Sequence, residues 1–195
     1  MATVTPTKRI TPDDLLEMTD GDFYELVDGQ ILERPMSAGS ARVGSRFVIK
    51  LGTFADETGA GTVYDQTVGV RIWTHAPEMT RKADCLFILA GKEPPDSASF
   101  LFAAPDIVVE ALSPNDLGEE VRDKVALWLQ GGVPLVLVAW PKTREIHVYR
   151  RGARPRILGP DDELTGEDIL PGFSVPVANL FDAPAFVRRG SQHAG

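Results

Sequence analysis

Residues 107–112 read Ile107-Val108-Val109-Glu110-Ala111-Leu112, and upstream Asp84-Cys85-Leu86-Phe87-Ile88-Leu89 has a similar composition. Both runs are apolar enough to be strands buried on both faces, yet each carries one acid. A carboxylate inside a β-branched run costs several kcal/mol to bury unless it is paired or bound to a metal. The alternative is an ordinary strand-end acid facing water, and it stands open for both Glu110 and Asp84. Asp106 is a poor partner for Glu110. Side chains four positions apart share a face but stand ~13 Å apart at ~3.3 Å per residue. Asp84 lies on a different strand, which can lie beside that of Glu110, so Asp106 reads as a strand-entry residue.

Outward from these strands the chain alternates helix and strand. Residues 40–57 form a helix in which Val43, Phe47, Leu51 and Phe54 make one apolar stripe. Arg42, Arg46 and Lys50 make a basic stripe beside it, and Gly59 to Gly61 ends the helix. A second long helix starts at a cap on Asn115 or Asp116 and ends at Gly131-Gly132. On its wheel Leu117, Val121, Val125 and Trp128 fall within roughly 80°, and Lys124 lies about 20° from Leu117, on the inward side. Lys124 either snorkels along the core edge or holds its ammonium near buried carboxylates.

A short helix opens at Thr11-Pro12-Asp13-Asp14, and Asp28-Gly29 turns a hairpin of residues 23–27 and 30–33. Glu25 sits in that hairpin, either exposed or facing inward. Further strands are expected at 62–66, 69–73 and 133–140, with a hairpin of 144–150 and 154–158 around Gly152. Leu170-Pro171-Gly172-Phe173 reads as a turn before a last short strand, and residues after about 185 as a disordered tail. The expected architecture is one α/β (α+β) domain, a mixed central sheet flanked by two principal helices.

Composition bounds the function. The 195 residues are a single-domain length, and 43% hydrophobic with 25% charged residues is enough for one solvated core. The single Cys85 excludes an internal disulfide, and three scattered histidines exclude a His/Cys zinc cage. No apolar stretch approaches the ~20 residues of a membrane span, and no apolar segment follows the N-terminal basic residues. A cytoplasmic protein is expected. The net charge of −8 argues against a protein that grips phosphates over its whole surface, leaving a local basic patch or a carboxylate metal site.

Taken in order, Tyr24-Glu25-Leu26-Val27-Asp28-Gly29, Arg81-Lys82-Ala83-Asp84, Val109-Glu110-Ala111-Leu112-Ser113-Pro114, Asp123-Lys124 and Leu170-Pro171-Gly172-Phe173 form a specific set. Together they resemble the Uma-two family of bacterial endonucleases, a branch of the PD-(D/E)XK restriction-endonuclease-like superfamily. The resemblance spans roughly residues 11–182. It implies a restriction-endonuclease-like core that binds Mg²⁺, with Mn²⁺ as the alternative, through Asp84, Glu110 and the Ala111 carbonyl. It implies Glu25 as a further acidic site residue. The superfamily lysine falls at Leu112 here, so Lys124 on the following helix would take its place. Ala83 stands where the superfamily has the proline of its PD pair, and Ser40 where the family often has histidine.

Three functions follow as expectations. The first is a metal-dependent endonuclease on DNA, with backbone contacts from Arg42, Arg46 and Lys50 and from Arg150, Arg154 and neighbouring arginines of the late hairpin. The second is a non-catalytic, homodimeric binding or scaffold protein on the same fold. The third is a hydrolase of small phosphoesters. The basic groups also read as ordinary solvated surface.

Overall fold

The computed structural model describes residues 9–34, 37–95, 99–113, 116 and 118–182. The expected disordered tail, the Asn115 cap and Leu117 lie outside these residues. At the N-terminus, α1 (Pro12–Glu17) starts at a capping box in which Thr11 and Asp14 exchange hydrogen bonds. β1 (Tyr24–Val27) and β2 (Gln30–Glu33) form the expected hairpin, and its turn takes Asp28 and Gly29 to φ 51° and 75°. Those positive angles are what an Asp-Gly turn supplies.

α2 (Ala38–Thr58) begins two residues earlier than the apolar stripe suggested, because Ser37 and Ser40 make a second capping box. It ends at Gly59 in the left-handed conformation, whose N–H returns to the Ala55 carbonyl. Val43, Phe47 and Leu51 are buried as expected, each contributing roughly 2 kcal/mol of apolar burial. Ala55 takes the fourth inward place, and Phe54 packs edge-on against Phe173 instead.

The main sheet runs β3-β4-β5-β6-β7-β8. Its strands are β3 (Gly61–Asp65), β4 (Cys85–Leu89), β5 (Ile107–Ala111), β6 (Leu135–Trp140), β7 (Glu145–Tyr149) and β8 (Arg156–Leu158). Only β5 and β6 are parallel, joined by the crossover through α3 (Gly118–Gln130); every other pairing is antiparallel. This is the mixed sheet expected. Alternate residues of β4 and β5 enter two cores, with Cys85, Phe87, Ile107 and Val109 towards α2 and Leu86, Ile88 and Val108 towards α3. Both strands are thus covered on both faces. No helix among the described residues is long and apolar enough to cross a membrane.

Two expectations are corrected. Residues 69–73 form no strand: Val70 alone bridges Arg81 antiparallel and Leu101 parallel. With neighbours of opposite direction on its two sides and a close fit of Gly69 between Thr80 and Phe100, the segment makes single bridges rather than a ladder. Trp73 then leaves the sheet surface to stack on Trp128 and donate to the Leu127 carbonyl. Residues 170–173 are not a turn before a strand but lie inside β10 (Leu170–Pro176), which pairs with the unanticipated β9 (Glu163–Gly166). The Pro-Gly signal survives as a register shift between Leu170 and Ser174, with Gly172 at φ 87°. A single turn, α4 (Ala178–Phe181), follows and packs on the α2 side.

Candidate active site

Asp84, in the bend just before β4, and Glu110 of β5 line one cleft. The Asp84 N–H donates to the Val109 carbonyl at 3.0 Å, so its carboxylate lies beside the C-terminal end of β5. There its Oδ2 accepts the Ala111 N–H at 2.6 Å. Helix α2 comes close at this point: a Cβ added to Gly44 would sit 3.1 Å from the Asp84 Cβ. Glu110 is 6% exposed. Its Oε1 accepts the Trp128 indole N–H at 2.8 Å and its Oε2 accepts the Lys124 ammonium at 2.9 Å, both from α3. The crossover connection β5–α3–β6 therefore delivers a strand acid and its helix lysine to the same spot.

Lys124 does not snorkel to the surface. Its ammonium also lies 3.5 Å from Glu25 Oε1, with the side chain about a fifth exposed. Glu25 is 4% exposed and faces inward from β1, accepting the Lys82 N–H at 2.7 Å and pairing with Arg81 at 3.3 Å. Arg34, just past β2, closes the group, with Nη2 donating to Asp84 Oδ1 at 2.9 Å and Nε 4.0 Å from Glu25. The cleft of about 850 Å³ above these residues runs between the β1–β2 hairpin and α3.

Burial drives the Glu110 carboxyl above its usual range, with Lys124 opposing and Asp84 adding to the rise. Burial would raise Glu25 too, but Lys124, Arg81 and Arg34 outweigh it and hold this carboxyl below its usual range. Arg34 is likewise desolvated, yet Asp84, Glu110 and Glu25 raise its pKa and keep it charged. One acid is thus easier to protonate and another harder within a single cluster.

The donor set suits a hard divalent cation: four carboxylate oxygens of Asp84 and Glu110, each taking one hydrogen bond from the described residues and keeping a further lone pair. Among the described residues no three His, Cys, Asp or Glu side chains gather as a metal cage. Remaining ligands would be main-chain oxygen, such as that of Ala111, or water.

Other sequence candidates lie elsewhere. Asp106 is buried at the opposite end of β5, accepting the Leu89 N–H and the Lys92 ammonium, and so serves the strand end. On α2, Arg42 is exposed, Lys50 is partly buried, and Arg46 is bound to the Asn179 carbonyl. Arg150, just past β7, pairs with Glu167 and Asp168, and Arg156 of the edge strand β8 pairs with Glu167. Arg154 is exposed. The late hairpin is therefore largely charge-compensated and is not part of the cleft.

Sequence reading missed Arg34, Arg81 and the hydrogen-bonding role of Trp128. Trp128 fits an apolar stripe and shows no polar signal. Arg34 follows an exposed Glu33, and nothing in its neighbours marks it as 11% exposed. Ser40 lines the cleft and lies 3.1 Å from the Ser113 hydroxyl.

A crystal structure described as "a putative nuclease belonging to DUF820 from Anabaena variabilis ATCC 29413" superposes with a TM-score of 0.74 at 18% identity. The match covers 88% of this chain and 97% of that one, and shows a shared fold. No curated protein matches the sequence. A family model, "Uma2: Putative restriction endonuclease", covers residues 12–178, nearly the whole span on which strands, cleft and charged cluster are built. By that match the chain belongs to the Uma2 family.

Proposed function

We propose that the protein is a Mg²⁺- or Mn²⁺-dependent endonuclease that hydrolyses DNA phosphodiester bonds at the cleft between β1–β2 and α3. The observation that carries this is that Asp84, at the entry to β4, and Glu110 of the adjacent β5 line one cleft with Lys124 bonded to Glu110. Asp84, Glu110 and the Ala111 carbonyl would hold the ion, which when bound lowers the pKa of water and polarises a phosphoryl oxygen. The protein's own groups do the rest. The Ala111 N–H fixes the Asp84 carboxylate, and the Trp128 indole fixes that of Glu110, so both are oriented before substrate arrives. Lys124 supplies positive charge where negative charge builds on the phosphate. Glu25 steadies Lys124 from the opposite side and touches no reacting atom in this reading.

The test is cleavage of mixed DNA substrates by wild type and Lys124→Met in Mg²⁺ or Mn²⁺, with a thermal melt of each. Wild type cleaves; Lys124→Met folds, at a cost of about 1–3 kcal/mol for leaving carboxylates less compensated, and loses cleavage at least 100-fold. Equal activity rejects the role given to Lys124.

One observation favours a second reading, a homodimeric scaffold without turnover. Every oxygen of Asp84 and Glu110 already has a hydrogen-bond donor within the chain. A scaffold of this kind shows no Mn²⁺ binding that Asp84→Asn abolishes, and a metal titration separates the two.

A further inference from the structure

The buried ion cluster holds Glu25, Asp84 and Glu110 against Arg34, Arg81 and Lys124, three charges of each sign. Asp28, Glu33, Asp116, Glu120 and Asp123 add further carboxylates around the cleft wall. A dication at Asp84 meets the Arg34 guanidinium already bonded to that carboxylate, so two cations share one acid unless one leaves or an anion enters. The members are not equally free to leave. Lys124 is held by two carboxylates from α3, and Arg81 lies in the segment leading into Asp84. Arg34 stands at the end of a two-stranded hairpin that shares no ladder with the main sheet, and among the described residues its one carboxylate contact shorter than the 4.0 Å to Glu25 is that to Asp84. Its other hydrogen bond runs to the Gln66 carbonyl at 3.4 Å.

Building on the metal-site reading above, we propose that Arg34 is an internal counter-cation at Asp84 that a divalent ion displaces, its released guanidinium then meeting the substrate phosphate. Arg34 and the ion compete for one carboxylate, so each weakens the other's hold. A phosphate entering the cleft relieves the competition, because a planar guanidinium binds phosphate in a two-pronged fashion as readily as carboxylate. Metal and phosphate ligands therefore bind cooperatively in the wild type, and the coupling runs through Arg34.

The experiment is Mn²⁺ binding by calorimetry and electron paramagnetic resonance, with no turnover measured. It uses full-length wild type, Arg34→Met, Arg34→Lys and Asp84→Asn, each with and without inorganic phosphate. Arg34→Met is expected to bind Mn²⁺ about tenfold more tightly than wild type, and Arg34→Lys to lie between them. Phosphate is expected to tighten Mn²⁺ binding several-fold in wild type and hardly at all in Arg34→Met. Should Arg34→Met fail to fold without metal, recovery of its melting transition by Mn²⁺ but not by NaCl supports the exchange equally, and no recovery by Mn²⁺ overturns it. If Arg34→Met matches wild type while Asp84→Asn loses Mn²⁺, the exchange is wrong and the metal site stands. If wild type and Arg34→Met both fail to bind Mn²⁺, the metal-site reading falls and takes the exchange with it.

Discussion

A carboxylate facing three cations ties stability to pH, and Glu25 is such a group. Its folded pKa is depressed below the ordinary 4.5, so its contribution is fully present above that value and is lost as pH falls through the folded pKa. Glu25→Gln removes this dependence and leaves Arg81 and Lys124 with one counter-charge fewer, at a cost on the order of 3 kcal/mol near neutral pH. Urea melts in EDTA from pH 7 down to pH 3 check both statements: the gap between wild type and Glu25→Gln narrows with acid. A gap independent of pH removes the electrostatic account. At this scale the sequence was partly legible. Glu110, Asp84 and Lys124 announced themselves because each breaks an apolar pattern. Arg34 follows Glu33 at a strand end and Arg81 stands between Thr80 and Lys82, so neither breaks an apolar run, and only the tertiary fold reveals that they are buried.

Helix α2 carries its apolar stripe to the sheet and its Gly44 to Asp84. That glycine lets the helix backbone approach the strand carrying the acid, since a methyl at position 44 meets the Asp84 Cβ at 3.1 Å. In Gly44→Ala the gain of up to about 1 kcal/mol in helix propensity opposes the crowding, so the melt stays within about 1 kcal/mol of wild type. Displacement of Asp84 by a few tenths of an ångström is nevertheless expected to weaken Mn²⁺ binding several-fold. Calorimetry beside a thermal melt checks this; unchanged metal affinity shows that the helix does not set the position of Asp84. Elements with one strong period were readable from sequence, as with the stripe of α2 and the apolar runs of β4 and β5. Residues 69–73 were not, because bridging two neighbours of opposite direction leaves no periodic trace, and β9 has too few apolar positions to show alternation.

The whole molecule carries a net charge of −8, and Arg150, just past β7, and Arg156 of β8 are spent on Glu167 and Asp168. Any DNA contact then falls to the cleft wall or to α2, where Arg42 is exposed about 200° around the helix from the cleft-lining Ser40. Using Lys124→Met to prevent cleavage, fluorescence anisotropy is expected to show weak DNA binding that declines steeply as salt rises from about 50 to about 200 mM. Arg42→Glu weakens it several-fold and flattens the salt dependence, whereas Arg154→Glu does neither. The reverse order places the DNA on the hairpin edge of the sheet. The fold class was legible because one helix and one pair of buried strands decide it. The distribution of usable positive charge was not, since ion pairing between distant segments is invisible in a linear chain.

The indole of Trp128 touches the Glu110 carboxylate and stacks at 5.3 Å on Trp73. Two of the three tryptophans thus form a pair whose polar edge ends on the candidate metal ligand, while Trp140 sits apart against His147. The chain carries a built-in optical reporter. A change of charge or position at Glu110 alters the field across an excited indole, so emission can follow occupancy of the cleft without any label attached.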